Sequence, residues 1–213
     1  MPLTARGDKK SPPIPEGVYV GVAYAIFDLG TQYSEYYEKS SHKILVCWEI
    51  PEHRITLERD GQKKDLPRAI SQRYTLSLGK KANLRRDLEA WRGKAFTNDE
   101  LEGFDVKNVL GKACQIQVVH NTGNDGNTYA NVGAIMALPK GMNAPEAENP
   151  LTFFSFEDDT SEPPEGTPEW VMKVIEKSAE WQALNGTNPE QDVGATEPPE
   201  QDEPVTYEGE PPF

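Results

Sequence analysis

The side chains this sequence clusters are aromatic rings and cations. Tyr33, Tyr36 and Tyr37 share one short polar segment, and Trp48, Tyr74 and Tyr129 stand in or beside segments of alternating apolar and polar residues. Lys43, Arg54, Lys63, Lys64, Arg68, Arg73, Lys80 and Lys81 are interspersed with them. Rings of this kind stack on nucleobases, and cations neutralise phosphates. These fourteen positions are therefore the candidate nucleic-acid contacts. For several of them a structural role is the competing reading. Trp48 shares its parity with Ile44, Val46 and Ile50, which places it with a buried set, and a basic run is commonly just a solvated surface.

Other chemistries find little support. His42, His53 and His120 are scattered, and neither Cys47 nor Cys114 has a cysteine partner at metal-ligand spacing. The two cysteines read as free core thiols. The segment LGKKANL lacks the Gly-x4-Gly-Lys frame of a phosphate loop, and no Gly-x-Ser-x-Gly elbow occurs. The expectation is a protein that is not an enzyme and has no cofactor and no metal.

The elements that must position the candidates centre on Ser71–Gly93. Tyr74, Leu76 and Leu78 alternate with polar residues up to Gly79, which predicts a strand followed by a basic turn at Lys80 and Lys81. Asn83 is then the expected helix N-cap. Leu84, Leu88 and Trp91 recur at helical spacing, with Trp91 plugging the bottom of a barrel, and Gly93 is the stop. Two strands precede this unit, over 17–29 and 43–50, and two follow, over 112–121 and 129–138. Gly21 suits a bend in the first strand. Tyrosines 33, 36 and 37 fall in the connection between the first two strands. Residues 51–67 read as a polar hairpin or loop with an Asp60-Gly61 turn. The connector 94–109 carries a Thr97–Glu100 helix start and the anchors Phe96, Leu101, Phe104 and Val109. The expected fold is mostly β: a five-stranded OB-fold barrel with one helix between strands 3 and 4.

Charge divides the chain. Residues 143–213 hold 18 acidic and 2 basic side chains, while 1–142 hold 17 acidic and 20 basic. A slightly basic barrel thus carries a strongly acidic tail, an asymmetry that points to a nucleic-acid or partner role. The expected organisation is a disordered arm over 1–16 and a nucleic-acid-binding barrel over 17–142. Phe153, Phe154 and Phe156 then lead into a helix over 168–184, which packs on the barrel or on a second subunit and so leaves a homo-oligomer open. From 186 onward the composition predicts a disordered acidic tail. No apolar run reaches membrane-spanning length and the N-terminal segment lacks an apolar core, so a soluble cytoplasmic protein without membrane contact is expected.

The last residues, Glu208, Glu210, Pro211, Pro212 and Phe213, form a compact recognition unit: a ring for an apolar pocket, a carboxylate for a basic side chain, and acids for a basic rim. This tip resembles the C-terminal tip of bacterial and phage single-stranded DNA-binding proteins, although glycine and glutamates stand where aspartates are usual. The body, around RYTLSLGKKANLRRDLEAWRGKAF and LGKAC, is similar to phage-encoded members of that class. The resemblance implies an OB-fold protein that coats single-stranded DNA non-specifically, in the host cytoplasm, and recruits replication or recombination proteins through its tip. Two alternatives stand beside it: an acidic DNA mimic that blocks a host nuclease or defence enzyme, and a structural oligomerisation module built on the Trp170–Trp181 helix.

Overall fold

The apolar run Val22–Phe27 lies in the middle of the first strand and is buried along its whole length. Such a run needs cover on both faces, and that requirement organises the molecule. The computed structural model describes residues 12–59, 62–157 and 162–186. Its five main strands are β1 (Gly17–Ser34), β2 (Lys39–Arg59), β3 (Gln62–Thr75), β4 (Ala113–Thr122) and β5 (Thr128–Met136). They form one antiparallel sheet in the order β3-β2-β1-β4-β5, curled into a half-barrel. The helix α1 (Asn83–Arg92) follows β3 and packs against both β3 and β5, the outermost strands of that order.

The concave side holds the larger core. Ile26, Val46, Trp48, Ile70 and Ile116 meet the α1 stripe of Leu84, Leu88 and Trp91 there. Trp91 lies in this concave core, on the apolar stripe that its spacing predicts. Its ring lies 5.7 Å from that of Trp48, and its Nε1 donates to the Ala113 carbonyl at 3.0 Å. Gly21 leaves room for the Ile116 side chain, which a Cβ at that position would overlap. The N-cap of α1 is Ala82, without a side-chain bond, rather than the expected Asn83, while Gly93 ends the helix at φ +67° as anticipated. The Thr97–Glu100 capping box forms at α2 (Asn98–Glu102). A 3-10 turn at Val106–Val109 then brings the buried Val109 to the core.

The strands are longer than their apolar alternation suggested. The first two run on until Ser34 pairs with Lys39, and the 51–67 segment is mostly ladder, with Arg59 opposite Gln62 and only Asp60 and Gly61 between them. Backbone bonds continue a ladder past the last buried side chain, so periodicity underestimates strand length. Conversely, β3 ends at Thr75, before Leu76 and Leu78.

The convex side of β1 and β2 carries a second core built from the later part of the chain. A short strand, β6 (Thr152–Phe154), pairs in parallel with Ala25–Phe27 of β1. Two helices, α3 (Glu169–Ile175) and α4 (Ala179–Asn185), then cover Tyr24, Phe27, Leu45 and Cys47. Val171 and Ile175 are fully buried, each worth roughly 1.5–3 kcal/mol of hydrophobic transfer. One helix was expected over 168–184. It is broken because the Ser178 hydroxyl accepts from the Trp181 amide and caps a new start. The preceding loop is tied down by Glu49, a buried carboxyl that accepts from Glu148 N (2.6 Å), Asn149 N (2.9 Å) and Asn149 Nδ2 (2.5 Å). Three donors meet the demand of burying such a group.

At the N-terminal end, the arm expected to be loose over 1–16 is anchored at Ile14, which is buried. His120 N donates to the Glu16 carboxylate at 2.9 Å. Among the described residues no helix is long and apolar enough to cross a membrane. Residues 1–11 and 187–213, with the tip Glu208, Glu210, Pro211, Pro212 and Phe213, lie outside the described residues.

Candidate nucleic-acid interface

Register sorts the candidate residues into two ends of the sheet and an interior. At one end, β1 and β2 continue past β3 as a two-stranded arm. Lys43 pairs with Thr75, the last residue of β3, and Lys39 lies four residues further out, about 14 Å at strand rise. The chain turns through Glu35–Glu38, with Glu38 at φ +46°. Tyr33, Tyr36 and Tyr37 are 63%, 66% and 64% exposed, and the last two pack edge to face at 4.8 Å between ring centroids. Lys39 is exposed beside them, and Lys43 Nζ donates to Thr75 Oγ1 at 3.0 Å. Lys80 and Lys81, both exposed, follow β3 at this same end.

The opposite end carries the exposed Lys63 and Lys64 on β3 and the half-buried Arg68. Arg54 is committed to acids there, at 2.9 Å from Asp65 and 2.6 Å from Glu148. Tyr129 is half-buried at the base of the β4–β5 turn. Its hydroxyl donates to Asp125 at 2.5 Å, which with the Asn127 bonds holds that carboxyl at a pKa of about 2. The tyrosine arm and the Lys63–Lys64 arm therefore do not form one continuous patch along a single edge.

Two candidate rings leave the surface altogether. Trp48 is 0% exposed in the concave core, on the side its parity gives it. Tyr74 is also buried and donates to Asp87 Oδ2 at 3.0 Å; burial first, and then the Asp87 charge, push its phenol well above the usual range. Neither ring can meet a base without unpacking the core. Arg73 pairs with Leu45, which places it on the convex side of the sheet, and it is half-buried. On α1 and after it, Arg85, Arg86 and Arg92 are matched by Glu89, Asp87 and Glu100.

A charged cluster at the base of the tyrosine arm escaped sequence reading. His42 Nε2 lies 2.7 Å from Asp28 Oδ1, and its Nδ1 lies 3.6 Å from Glu180 of α4. Glu180 also accepts from Thr31 N and Thr31 Oγ1, each at 2.6 Å. Burial opposes the charge on Asp28, but the His42 and Gly30 bonds outweigh it and hold the carboxyl below its ordinary value. The bond to Asp28, opposed by burial, raises His42. The available signal was the double-sided apolar run of β1, which demands a covering element and hence polar groups to fasten it. Burial pushes both cysteine thiols, Cys47 and Cys114, far up, which leaves them unreactive in the folded chain. Among the described residues no group of three or more His, Cys, Asp or Glu side chains is arranged to hold a metal ion.

Compared with family models, curated proteins and solved structures, the chain matches none. The functional reading rests on the residues themselves.

Proposed function

We propose that this chain is a single-stranded DNA-binding protein on an OB-type barrel, which coats single strands without sequence preference during phage replication or recombination and recruits partner proteins through its acidic C-terminal tip. The observation that carries the reading is the solvent-exposed trio Tyr33, Tyr36 and Tyr37 at the sheet end that also carries Lys39, Lys80 and Lys81. Five strands curled in the order β3-β2-β1-β4-β5, with α1 after the third, agree with the OB arrangement. Each stacked base contributes about 1–3 kcal/mol, and phosphate neutralisation adds a salt-dependent part. The resemblance of the body and tip to phage proteins of this class supports the same assignment.

The two alternatives fit less well. A DNA mimic needs acid over its folded surface, whereas residues 1–142 have more basic than acidic side chains. An oligomerisation helix needs a free apolar stripe, whereas Val171 and Ile175 are spent on the chain's own sheet.

A fluorescence titration with oligo-dT and with a duplex of equal length, at low and at moderate salt, tests the reading. The expected result is preference for the single strand and weaker binding as salt rises. An absence of oligo-dT binding even in dilute buffer refutes it.

A further inference from the structure

The two helices on the convex side are held by different means. Val171 and Ile175 of α3 have no exposed surface, and Gln32 Nε2 donates to the Val174 carbonyl at 3.0 Å. In α4 no residue is buried, and Trp181 packs only partly against the convex core. Ser178, fully buried beside Gly30, marks where the firmly packed part ends. The polar tie of α4 to the sheet is Glu180. Its carboxylate accepts from Thr31 N and Thr31 Oγ1, and it faces His42 Nδ1 at 3.6 Å. We propose that His42 is a pH-sensitive latch for α4 alone: charged, it holds the helix on β1; neutral, it turns an acceptor toward Glu180 and lets α4 lift about Ser178 while α3 stays.

The geometry decides which proton the ring gives up. Asp28 Oδ1 lies 2.7 Å from His42 Nε2 and accepts from Gly30 N at 2.8 Å, and Asp28 Oδ2 accepts from Phe156 N at 3.3 Å. Beside this ionised carboxylate, a neutral His42 keeps its proton on Nε2 and presents a lone pair at Nδ1. That lone pair points at Glu180. Neutralisation therefore converts the contact with α4 from attraction to repulsion, whereas the Asp28 bond within the sheet survives. Among the described residues, the charged groups that act on the ring are Asp28 of β1, Glu180 of α4 and Glu157 after β6. The His42 and Glu180 side chains are 33% and 30% exposed, so water reaches both. The bond to Asp28, against burial, raises the ring's pKa. The latch is thus fully closed below the ordinary 6.5 and opens as pH rises through the raised value. Asp28 and Glu180, both lowered, stay ionised throughout that range.

The test follows backbone amide exchange in the full-length chain at pH 6 and pH 8.5, corrected for the intrinsic rate. Protection across α4 is expected to fall about two- to fivefold from the lower to the higher pH, the span of an ion pair at a partly exposed site. Protection across α3 is expected to hold. The fall is expected to vanish in His42→Gln and in Glu180→Gln, which remove opposite partners of the same contact; if one variant does not fold, the other decides. The proposal is overturned if α4 protection in the wild-type chain is the same at both pH values, if α3 loses protection in step with α4, or if the fall persists in either folded variant.

Discussion

His42 stands between carboxylates from different parts of the chain: Asp28 on β1, Glu180 on α4, and Glu157 just after β6, whose charge also acts on it. Its pKa is raised above the ordinary 6.5, so its charged pairing is fully present below that value and is lost as pH rises through the raised one. Asp28 and Glu180 are lowered. Burial works against both, but bonds from His42 and from Thr31 prevail, so their share is present above the ordinary carboxylate range and is lost as pH falls through the lowered values. The cluster stabilises the fold most between those limits. In thermal melts across pH 5 to 9, the wild-type chain is expected to lose stability as pH rises above 6.5 relative to a His42→Gln variant, whose curve stays flatter there. Parallel curves for the two proteins contradict the assignment. At this scale the rings were only partly legible. Trp91 and the parity of Trp48 could be read from spacing, because a side chain's face follows from its register. The parity of Tyr74 with Leu76 and Leu78 placed it on the apolar face, whereas its hydrogen bond to Asp87 of α1 is not reported by spacing within the strand.

At the scale of elements, the decisive contact is the approach of the α3–α4 junction to β1 at Gly30. A Gly30→Ala variant adopts an unfavourable left-handed backbone and collides with Ser178 and Glu180. Gly126 has a similar φ, +78°, with nothing within 4 Å of a Cβ, so Gly126→Ala carries the backbone cost alone. The backbone cost is roughly 1–2 kcal/mol in each, and the collision at Gly30 adds about 1–3 kcal/mol. Denaturant midpoints of the two variants measure the difference; equal midpoints would mean that the helices do not depend on this contact. The five strands, the α1 stripe and the Thr97–Glu100 box were legible, because each is set by neighbours a few residues away, whereas Asp60 and Gly61 lie outside the described residues. The split of the C-terminal helix was not. Residues 168–184 have helical periodicity throughout, and the Ser178 cap packs against Gly30 of β1, an approach that local spacing does not report.

For the whole molecule, charge and shape work together. The cover ends in α4, whose Glu180 accepts from Thr31 near the tyrosine arm, and the sequence after it is acidic. Removing 187–213 is expected to tighten oligo-dT binding several-fold at low salt, since an acidic segment competes with phosphates for the same cations. Deleting Phe213 alone is expected to leave DNA affinity unchanged while abolishing capture of a replication or recombination partner. Equal affinity for the truncated chain, or retained capture without Phe213, contradicts the respective role. By itself the sequence determined the strand-rich class, the strand order along the chain, the helix after the third strand and the division into a basic front and an acidic end. All of these are written in local periodicity and composition. Only the tertiary structure decided which faces stay open. Burial of the convex side depends on residues 147–157 and 162–181 returning to strands far earlier in the chain, with separations of 99 for Glu49–Glu148 and 149 for Thr31–Glu180, and no local pattern encodes where such a segment comes to rest.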